Sequence, residues 1–253
     1  MASFSTQTWN LITQYDGVSL PILSLGLSPN GDVLAGVGGI IDGTGIIHFW
    51  EYDTGRAKRV LNYIKRSAFT GASFSPDGTK LVYCTGCCGN RFMALTKPGT
   101  LGVLDIASGD EILRHNGNMS FTDCVFDWNG THVVAAGVKD FANTSQLISW
   151  DYVSGSIEAA QPVDSWTYCL ARNPNNSTII GTQGNALVKV YDSKDITTPP
   201  KVYTGHGTRQ RVTSVAFFPN GEQFVTGSLQ ELGIHFYPSP YPGNSQIKFW
   251  KTK

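Results

Sequence analysis

Apolar and polar positions alternate along this chain in short runs, and one arrangement recurs five times: an apolar strand, a tight turn and a second apolar strand. Proline presets the first corner of such a turn, and a following Asn-Gly or Asp-Gly accepts the positive φ of the next corner. Between two alternating apolar runs, this turn predicts a β-hairpin. The turns are centred, at intervals of 47, 52, 46 and 45 residues, on Pro29, Pro76, Trp128, Pro174 and Pro219.

The residues after each hairpin predict further strands. A third strand ends in an aromatic or apolar residue before a polar one, and its copies cover residues 46–51, 101–105, 147–151, 187–192 and 247–251. Fourth strands follow at 59–64, 111–114, 156–159 and 201–204. A four-stranded unit repeated radially is the blade of a β-propeller. The sequence therefore predicts an all-β fold, a β-propeller of about five four-stranded antiparallel blades that forms a single domain over residues 1–253.

The fifth repeat contains three predicted strands, and the N-terminal segment 7–15 is the predicted donor of its fourth. Trp9, Leu11, Thr13 and Tyr15 alternate as a strand with one buried face requires. We expect this strand to pair beside residues 247–250 and to close the ring, which removes exposed sheet edges. The alternatives are a fragment of a larger ring and an open arc that a partner completes.

The repeated pattern resembles that of the WD-repeat family of β-propellers across almost the whole chain. The last copy is the most similar, with Gly-His at 205–206, Pro-Asn-Gly at 219–221 and Phe-Trp at 249–250. Residues 150–151 are the one literal Trp-Asp pair. The resemblance implies a propeller fold and a scaffold function.

The sequence departs from the family pattern inside the blades. Gly-His occurs only once, so most blades lack the His, Ser/Thr, Asp and Trp network that family members often build. In the last blade His206, Ser228 and Trp250 can join such a network, although no aspartate matches its remaining member. The blades must therefore depend chiefly on apolar packing.

Charge and cysteine content narrow the function classes. Nineteen Lys and Arg balance nineteen Asp and Glu, so we expect neither nucleic-acid binding nor attachment to an anionic membrane surface. No run approaches the roughly 18 apolar residues of a membrane span, and the N-terminus lacks the features of a signal peptide. Five cysteines, an odd number, favour reduced thiols and a cytoplasmic location. One basic cluster is interpreted as a solvated outer strand: Arg56, Lys58, Arg59, Lys65 and Arg66.

Motifs that carry catalysis or bind cofactors are not found in the sequence, which has no phosphate-binding loop, zinc-protease motif or Gly-x-Ser-x-Gly. The run from Cys84 through Cys87 and Cys88 lacks the second pair that a closed zinc site requires. These cysteines are interpreted as structural thiols, with metal or redox use as the alternative. Some carboxylates lie near loops where they could line a central channel, as in propeller hydrolases: Asp42, Asp123, Asp140 and Asp164.

The loops between the second and third strands hold most of the excess repeat length. Successive connections of a meander alternate between faces, so we expect these loops to emerge on one face, the long-loop face. Aromatic, Met and Arg side chains on such loops are typical of interface anchors. The alternative is that Phe92 and Phe236 fold back onto their own blades. The predicted partner-binding residues are Arg91, Phe92, Met93, Phe141, Phe236, Tyr237 and Tyr241.

Together these features predict a non-catalytic scaffold for protein–protein interaction, a subunit of a larger assembly that binds other proteins through the long-loop face. No enzyme activity, cofactor or metal is expected. The alternative is a small five-bladed carbohydrate-binding propeller, which would be lectin-like and would repeat one pocket in every blade. A propeller hydrolase is less favoured than either.

Overall fold

The computed structural model describes residues 1–253 except 6, 9, 41–42, 65–67, 87–97, 140–144, 208–209, 231–244 and 253. Over the described residues the chain is all-β, with 21 strands and no helix. Contacts divide the chain into two compact units, Met1–Phe121 and Thr122–Lys253. The sheets are antiparallel and join strands that are consecutive in the chain, so short connections build each one.

The first unit contains one two-stranded and two four-stranded sheets. The small sheet pairs β1 (Ala2–Phe4) with β2 (Leu11–Gln14). The first large sheet contains β3 (Ile22–Leu27), β4 (Val33–Gly39), β5 (Thr44–Glu51) and β6 (Ala57–Ile64). The second contains β7 (Phe69–Phe74), β8 (Lys80–Thr85), β9 (Thr100–Asp105) and β10 (Glu111–Asn116). Strands β3 and β7 pack against each other, which places the two large sheets side by side.

The second unit holds the remaining three sheets, of which the first begins at the end of the preceding unit. That third large sheet contains β11 (Ser120–Phe126), β12 (His132–Val138), β13 (Ser145–Asp151) and β14 (Ser156–Val163). The fourth contains β15 (Thr167–Arg172), β16 (Thr178–Gln183), β17 (Val188–Asp192) and β18 (Lys201–Tyr203). The fifth contains β19 (Gln210–Phe217), β20 (Gln223–Gln230) and β21 (Gln246–Lys251). Strand β15 packs against β19.

These five successive large sheets are the five predicted blades, and the predicted all-β, five-bladed β-propeller fold is confirmed. The middle strands β4, β5, β8, β9, β12 and β13 are buried almost continuously. The outer strands β10 and β14 alternate between half-buried and exposed positions. The single-domain organisation stays a prediction.

The predicted hairpin turns are stabilised by a glycine at positive φ and by a side chain that accepts a backbone hydrogen bond. Gly31 and Gly78 have φ values of +79° and +72°, which favour glycine, at the last position of each turn. The Ser28 and Ser75 side chains accept hydrogen bonds from backbone N–H groups five residues later, at 2.9 Å each. In the third sheet the carboxylate of Asp127 does the same for the His132 N–H at 3.0 Å. Each turn is therefore held by its own side chain.

The predicted pairing of the N-terminal strand with the fifth sheet is wrong. Strand β2 pairs with β1, and the fifth sheet has three strands among the described residues. Tyr15 is buried against Trp50 of the first sheet, and its hydroxyl donates to the Tyr52 carbonyl at 2.8 Å. The Trp50 indole N–H donates to the Asp16 carbonyl at 3.0 Å. These contacts bind the segment to the first sheet.

The predicted outer strand of the first sheet is confirmed. Strand β6 carries Lys58 and Arg59 as exposed residues just after the exposed Arg56. The Arg59 guanidinium donates to three backbone carbonyls of the turn after β9, including Ser108 O at 2.5 Å. Lys65 and Arg66 lie outside the described residues. No helix in the described part of the chain is long and apolar enough to cross a membrane.

Candidate functional site

All seven side chains predicted to bind a partner lie outside the described residues, so their role stays a prediction. The same holds for Cys87, Cys88, Asp42 and Asp140. The candidate site must therefore lie among other residues of the described surface. Its most distinctive part is the fifth sheet, where a buried hydrogen-bond network lies beneath an exposed apolar strand.

The buried network of the fifth sheet is centred on the His206 imidazole. Nδ1 lies 2.9 Å from the Ser228 hydroxyl, and Nε2 lies 2.8 Å from the Thr226 hydroxyl. The Trp250 indole N–H donates to the same Thr226 oxygen at 2.8 Å. At the other end, the Ser228 hydroxyl donates to Gln210 Oε1 at 2.9 Å.

These contacts determine the direction of every hydrogen bond. The amide oxygen of Gln210 can only accept, so the Ser228 proton points to it and the Ser228 oxygen accepts from His206 Nδ1–H. A neutral imidazole then accepts at Nε2 from Thr226, which in turn accepts from Trp250. Burial and the nearby Lys248 ammonium lower the pKa of His206, which favours this neutral form.

Two of the three predicted network members meet at bonding distance, since His206 contacts Ser228, while Trp250 joins through Thr226. Sequence reasoning found no aspartate, and the terminal acceptor is instead the carboxamide of Gln210, which also accepts from Gly207 N–H at 3.0 Å. Nothing in its residue type signals this role. The family spacing of Gly-His and a downstream polar residue is the one sequence signal that could have suggested it.

The network fixes β21 from one side. Trp250 stacks on Phe224 with ring centroids 6.0 Å apart and meets Tyr203 edge-on at 5.6 Å. Because successive strand residues point to opposite faces, Ile247 and Phe249 project from the other face. They lie opposite Gly227 and Val225 of β20 in the sheet register.

Ile247 and Phe249 are strongly exposed, at 73% and 70% of their surface. Strand β21 pairs with β20 alone among the described residues, so its second edge presents backbone N–H and C=O groups that no other described strand pairs with. The exception at its end is the Lys251 carbonyl, which accepts from the Tyr203 hydroxyl at 3.1 Å. Lys248 and Lys251 also lie on β21, which carries no acidic residue. We call residues Gln246–Lys251 with this free edge the β21 edge.

A second apolar surface belongs to the first unit. Leu23, Leu25 and Leu27 occupy alternate positions of β3, point to one face of the first sheet and are each roughly half exposed. Strand β3 lies at the edge of its sheet opposite to β6, and it packs against β7 of the second sheet. Monomeric soluble proteins rarely expose large contiguous apolar patches, so such rows indicate binding surfaces.

The predicted channel carboxylates that the structure describes have different partners. Asp123 is buried, and its two oxygens accept from the Cys124 N–H at 2.8 Å and the Leu170 N–H at 2.7 Å. Burial raises the pKa of Asp123 to about 7, although these hydrogen bonds oppose the shift. Asp164 is instead exposed and ion-paired with Lys189. No group of metal-ligating side chains occurs among the described residues.

No disulfide joins the three described cysteines. Cys84 and Cys124 are fully buried in their strands, and Cys169 is half-buried in β15. The full burial of Cys84 agrees with its interpretation as a structural thiol.

Comparison with known proteins locates a family signature in this same region. A family model described as "WD domain, G-beta repeat" (WD40) matches residues 197–251, which run from just before β18 to the end of β21. No curated protein matches the chain. The match and the five-bladed arrangement support a WD-repeat propeller, as the sequence pattern predicted. Propellers of this type are commonly protein-interaction scaffolds and are generally not catalytic.

Proposed function

We propose that this WD-repeat propeller is a non-catalytic scaffold that holds another protein, as a subunit of a larger assembly. The observation that supports the proposal best is the β21 edge, where two large apolar side chains are exposed on a strand with a free edge. A rigid network beneath the strand holds these side chains in place, so little ordering is needed when a partner binds.

The partner binds at this edge by adding a strand. Unpaired N–H and C=O groups of β21 supply main-chain hydrogen bonds, and this contact is independent of the partner's side chains. Ile247 and Phe249 supply the side-chain contacts on one face. The occupant is therefore an extended segment of another protein with apolar residues at alternate positions.

The charge of the β21 edge further limits which partner segments fit it. Lys248 and Lys251 make the β21 edge basic in a chain whose net charge is zero. An acidic residue beside the apolar ones would complement this local charge and steer the encounter. The partner segment is thus apolar and acidic.

Two further predictions from the sequence, the binding face and the location of the protein, are also proposed. Partner binding through the long-loop face would add a second contact, and a cytoplasmic location would agree with the free thiols of Cys84, Cys124 and Cys169.

A pair of lysine substitutions tests the proposal. Ile247→Lys with Phe249→Lys should reduce by at least tenfold the amount of partner that co-purifies from the native source, because two apolar anchors become charged. The matched control is Val153→Lys, which changes another strongly exposed apolar residue away from β21. The control should retain the partner.

Folding of each variant is checked by circular dichroism and Tm, which should change little because the altered side chains are exposed. A wild-type protein that is monomeric and without a partner at physiological concentration contradicts the scaffold function. A double variant that retains the partner as the control does contradicts the β21 edge as its site.

A further inference from the structure

A polar crevice opens between the third and fourth sheets in the second unit, with a volume of about 220 Å³. Its walls come from the β11–β12 turn, β14 and the turn after β17. The residues that line the crevice include Asp127, Trp128, His132, Glu158, Ser193 and Lys194. None of them belongs to the β21 edge.

Trp128 is the first unusual feature of the crevice. It stands at the turn position where the other four repeats carry proline, and 42% of its surface is exposed. The turn does not need it, because Pro29 and Pro76 occupy the same place in turns of the same kind. An exposed indole that folding does not require offers a flat apolar face to a ligand.

His132 and Glu158 form the polar wall of the crevice. Glu158 Oε2 lies 2.8 Å from His132 Nε2, so the imidazole donates to the carboxylate. His132 Nδ1 lies 2.8 Å from the Thr131 hydroxyl. The ring is thus fixed from both sides, and the second oxygen of Glu158 has no hydrogen bond among the described residues.

The Ser193 hydroxyl is an independent indication of a ligand. Ser193 is only 6% exposed and lines the crevice, yet its oxygen has no hydrogen-bond partner within the described chain. Buried hydroxyls nearly always have a partner, so this one requires an explanation. Beside it, the Lys194 ammonium lies 5.5 Å from the centroid of the Trp128 ring.

We infer that this crevice binds a neutral polyhydroxylated ring, a single sugar unit. Sugar hydroxyls donate and accept, which suits the carboxylate of Glu158, the ammonium of Lys194 and the hydroxyl of Ser193 together. The C–H face of the ring stacks on Trp128. Charges of both signs line the crevice, so neither a cation nor an anion is favoured.

The size of the crevice sets the length of the ligand. Its 220 Å³ is below the roughly 300 Å³ at which pockets for drug-sized ligands begin, so a single ring fills it. Trp128 occurs in one repeat only, so this is a single site, unlike the pocket repeated in every blade of a lectin-like propeller.

Binding is tested by NMR titration of the full chain with methyl glycosides of glucose, mannose, galactose and N-acetylglucosamine, with glycerol as the control for weak non-specific contact. At least one glycoside should shift the Trp128 indole signal and the amides of residues 127–132 and 193–194, with a Kd of about 1 mM or tighter. Glycerol should leave these signals unchanged.

Three variants connect binding to the crevice. Trp128→Pro introduces the residue of the other four turns, so it should fold normally and weaken binding at least tenfold. Glu158→Gln and Ser193→Ala should each weaken binding severalfold, while Glu222→Gln, in an exposed turn elsewhere, should bind as the wild type does.

The inference is overturned if no glycoside shifts these signals, or if Trp128→Pro binds as tightly as the wild type. It is also overturned if tetramethylammonium or arginine methyl ester shifts them and no glycoside does, because the site would then prefer a cation.

Discussion

The hydrogen bonds around His206 run in one direction, from the Trp250 indole through Thr226 and Ser228 to the Gln210 carboxamide. Each hydroxyl both accepts and donates, so the removal of one member takes a hydrogen bond away from its neighbour. Buried polar groups that lose a partner cost more than the hydrogen bond itself contributes. The last acceptor is therefore the most informative residue to change.

We expect Gln210→Ala to lower the free energy of unfolding by about 1–3 kcal/mol, because Ser228 and the Gly207 N–H lose their common acceptor. The measurement is urea denaturation at neutral pH. Gln223→Ala is the matched control, since Gln223 is exposed in β20 of the same sheet. Equal effects of the two substitutions would show that the network adds nothing to stability.

Asp123 predicts a specific dependence of stability on pH. Its folded pKa of about 7 lies above the ordinary value of 3.8, so the folded state binds the proton more tightly. Its contribution to stability is fully present below about pH 4 and is lost as the pH rises through 7. His48, His115 and His206 have lowered pKa values and act in the opposite direction, so the contribution of Asp123 must be isolated.

The substitution Asp123→Asn isolates the contribution of Asp123 to the pH dependence of stability. The unfolding free energy of the variant minus that of the wild type should rise by roughly 1 kcal/mol per pH unit between about pH 4.5 and 6.5 and level off above 7.5. The histidine contributions cancel in this difference. A difference that stays constant with pH would contradict the raised pKa of Asp123.

At the scale of strands, close approach between neighbours limits the residue types that fit. Gly102 in β9 lies opposite Tyr83 in β8, and a Cβ added at Gly102 would lie 2.2 Å from the tyrosine ring. Tyr83 is fully buried, and its hydroxyl donates to Glu111 at 2.7 Å. The ring therefore cannot move aside without breaking that bond.

Gly102→Ala should consequently lower the free energy of unfolding by about 1–3 kcal/mol, the usual cost of overpacking. Gly26→Ala in β3 is the control, because its added Cβ would make ordinary contacts of 3.4 Å and longer. Thermal denaturation of both variants should place the Tm of Gly26→Ala close to that of the wild type. A Gly102→Ala protein as stable as that control would mean that β8 and β9 can separate.

The strands that could be predicted from the sequence are those whose pairing is local. Pro29 and Pro76 mark hairpins whose two strands are only a turn apart, so pattern and pairing agree. The alternation of Trp9, Leu11, Thr13 and Tyr15 predicts a strand as well, but it does not identify the neighbour. Burial of Tyr15 against Trp50 decides that, and this contact joins residues 35 positions apart.

The candidate site was predictable to a smaller extent. His206, Ser228 and Trp250 could be identified because the family pattern gives their types and spacing. Gln210 could not be identified from its residue type, since its carboxamide is recognised as the last acceptor only by its distance from Ser228. The exposure of Ile247 and Phe249 could not be predicted either. The sequence of an apolar strand does not show whether another element covers it.

For the whole molecule, zero net charge means that association depends on local surfaces and not on a long-range field. Each compact unit exposes apolar side chains on a strand, among them the leucines of β3 in the first and Ile247 and Phe249 in the second. The β21 edge combines apolar, basic and main-chain binding groups in six residues. The central claim is that a partner strand covers it.

Hydrogen exchange measured by mass spectrometry on the isolated protein and on its complex from the native source shows whether a partner strand covers the β21 edge. We expect slower exchange of the amides of residues 246–251 in the complex, because a partner strand pairs with the free edge. Exchange in β12, a middle strand already paired on both sides, should be the same in both samples. Equal exchange of residues 246–251 in the two samples, with the partner bound, would contradict the account.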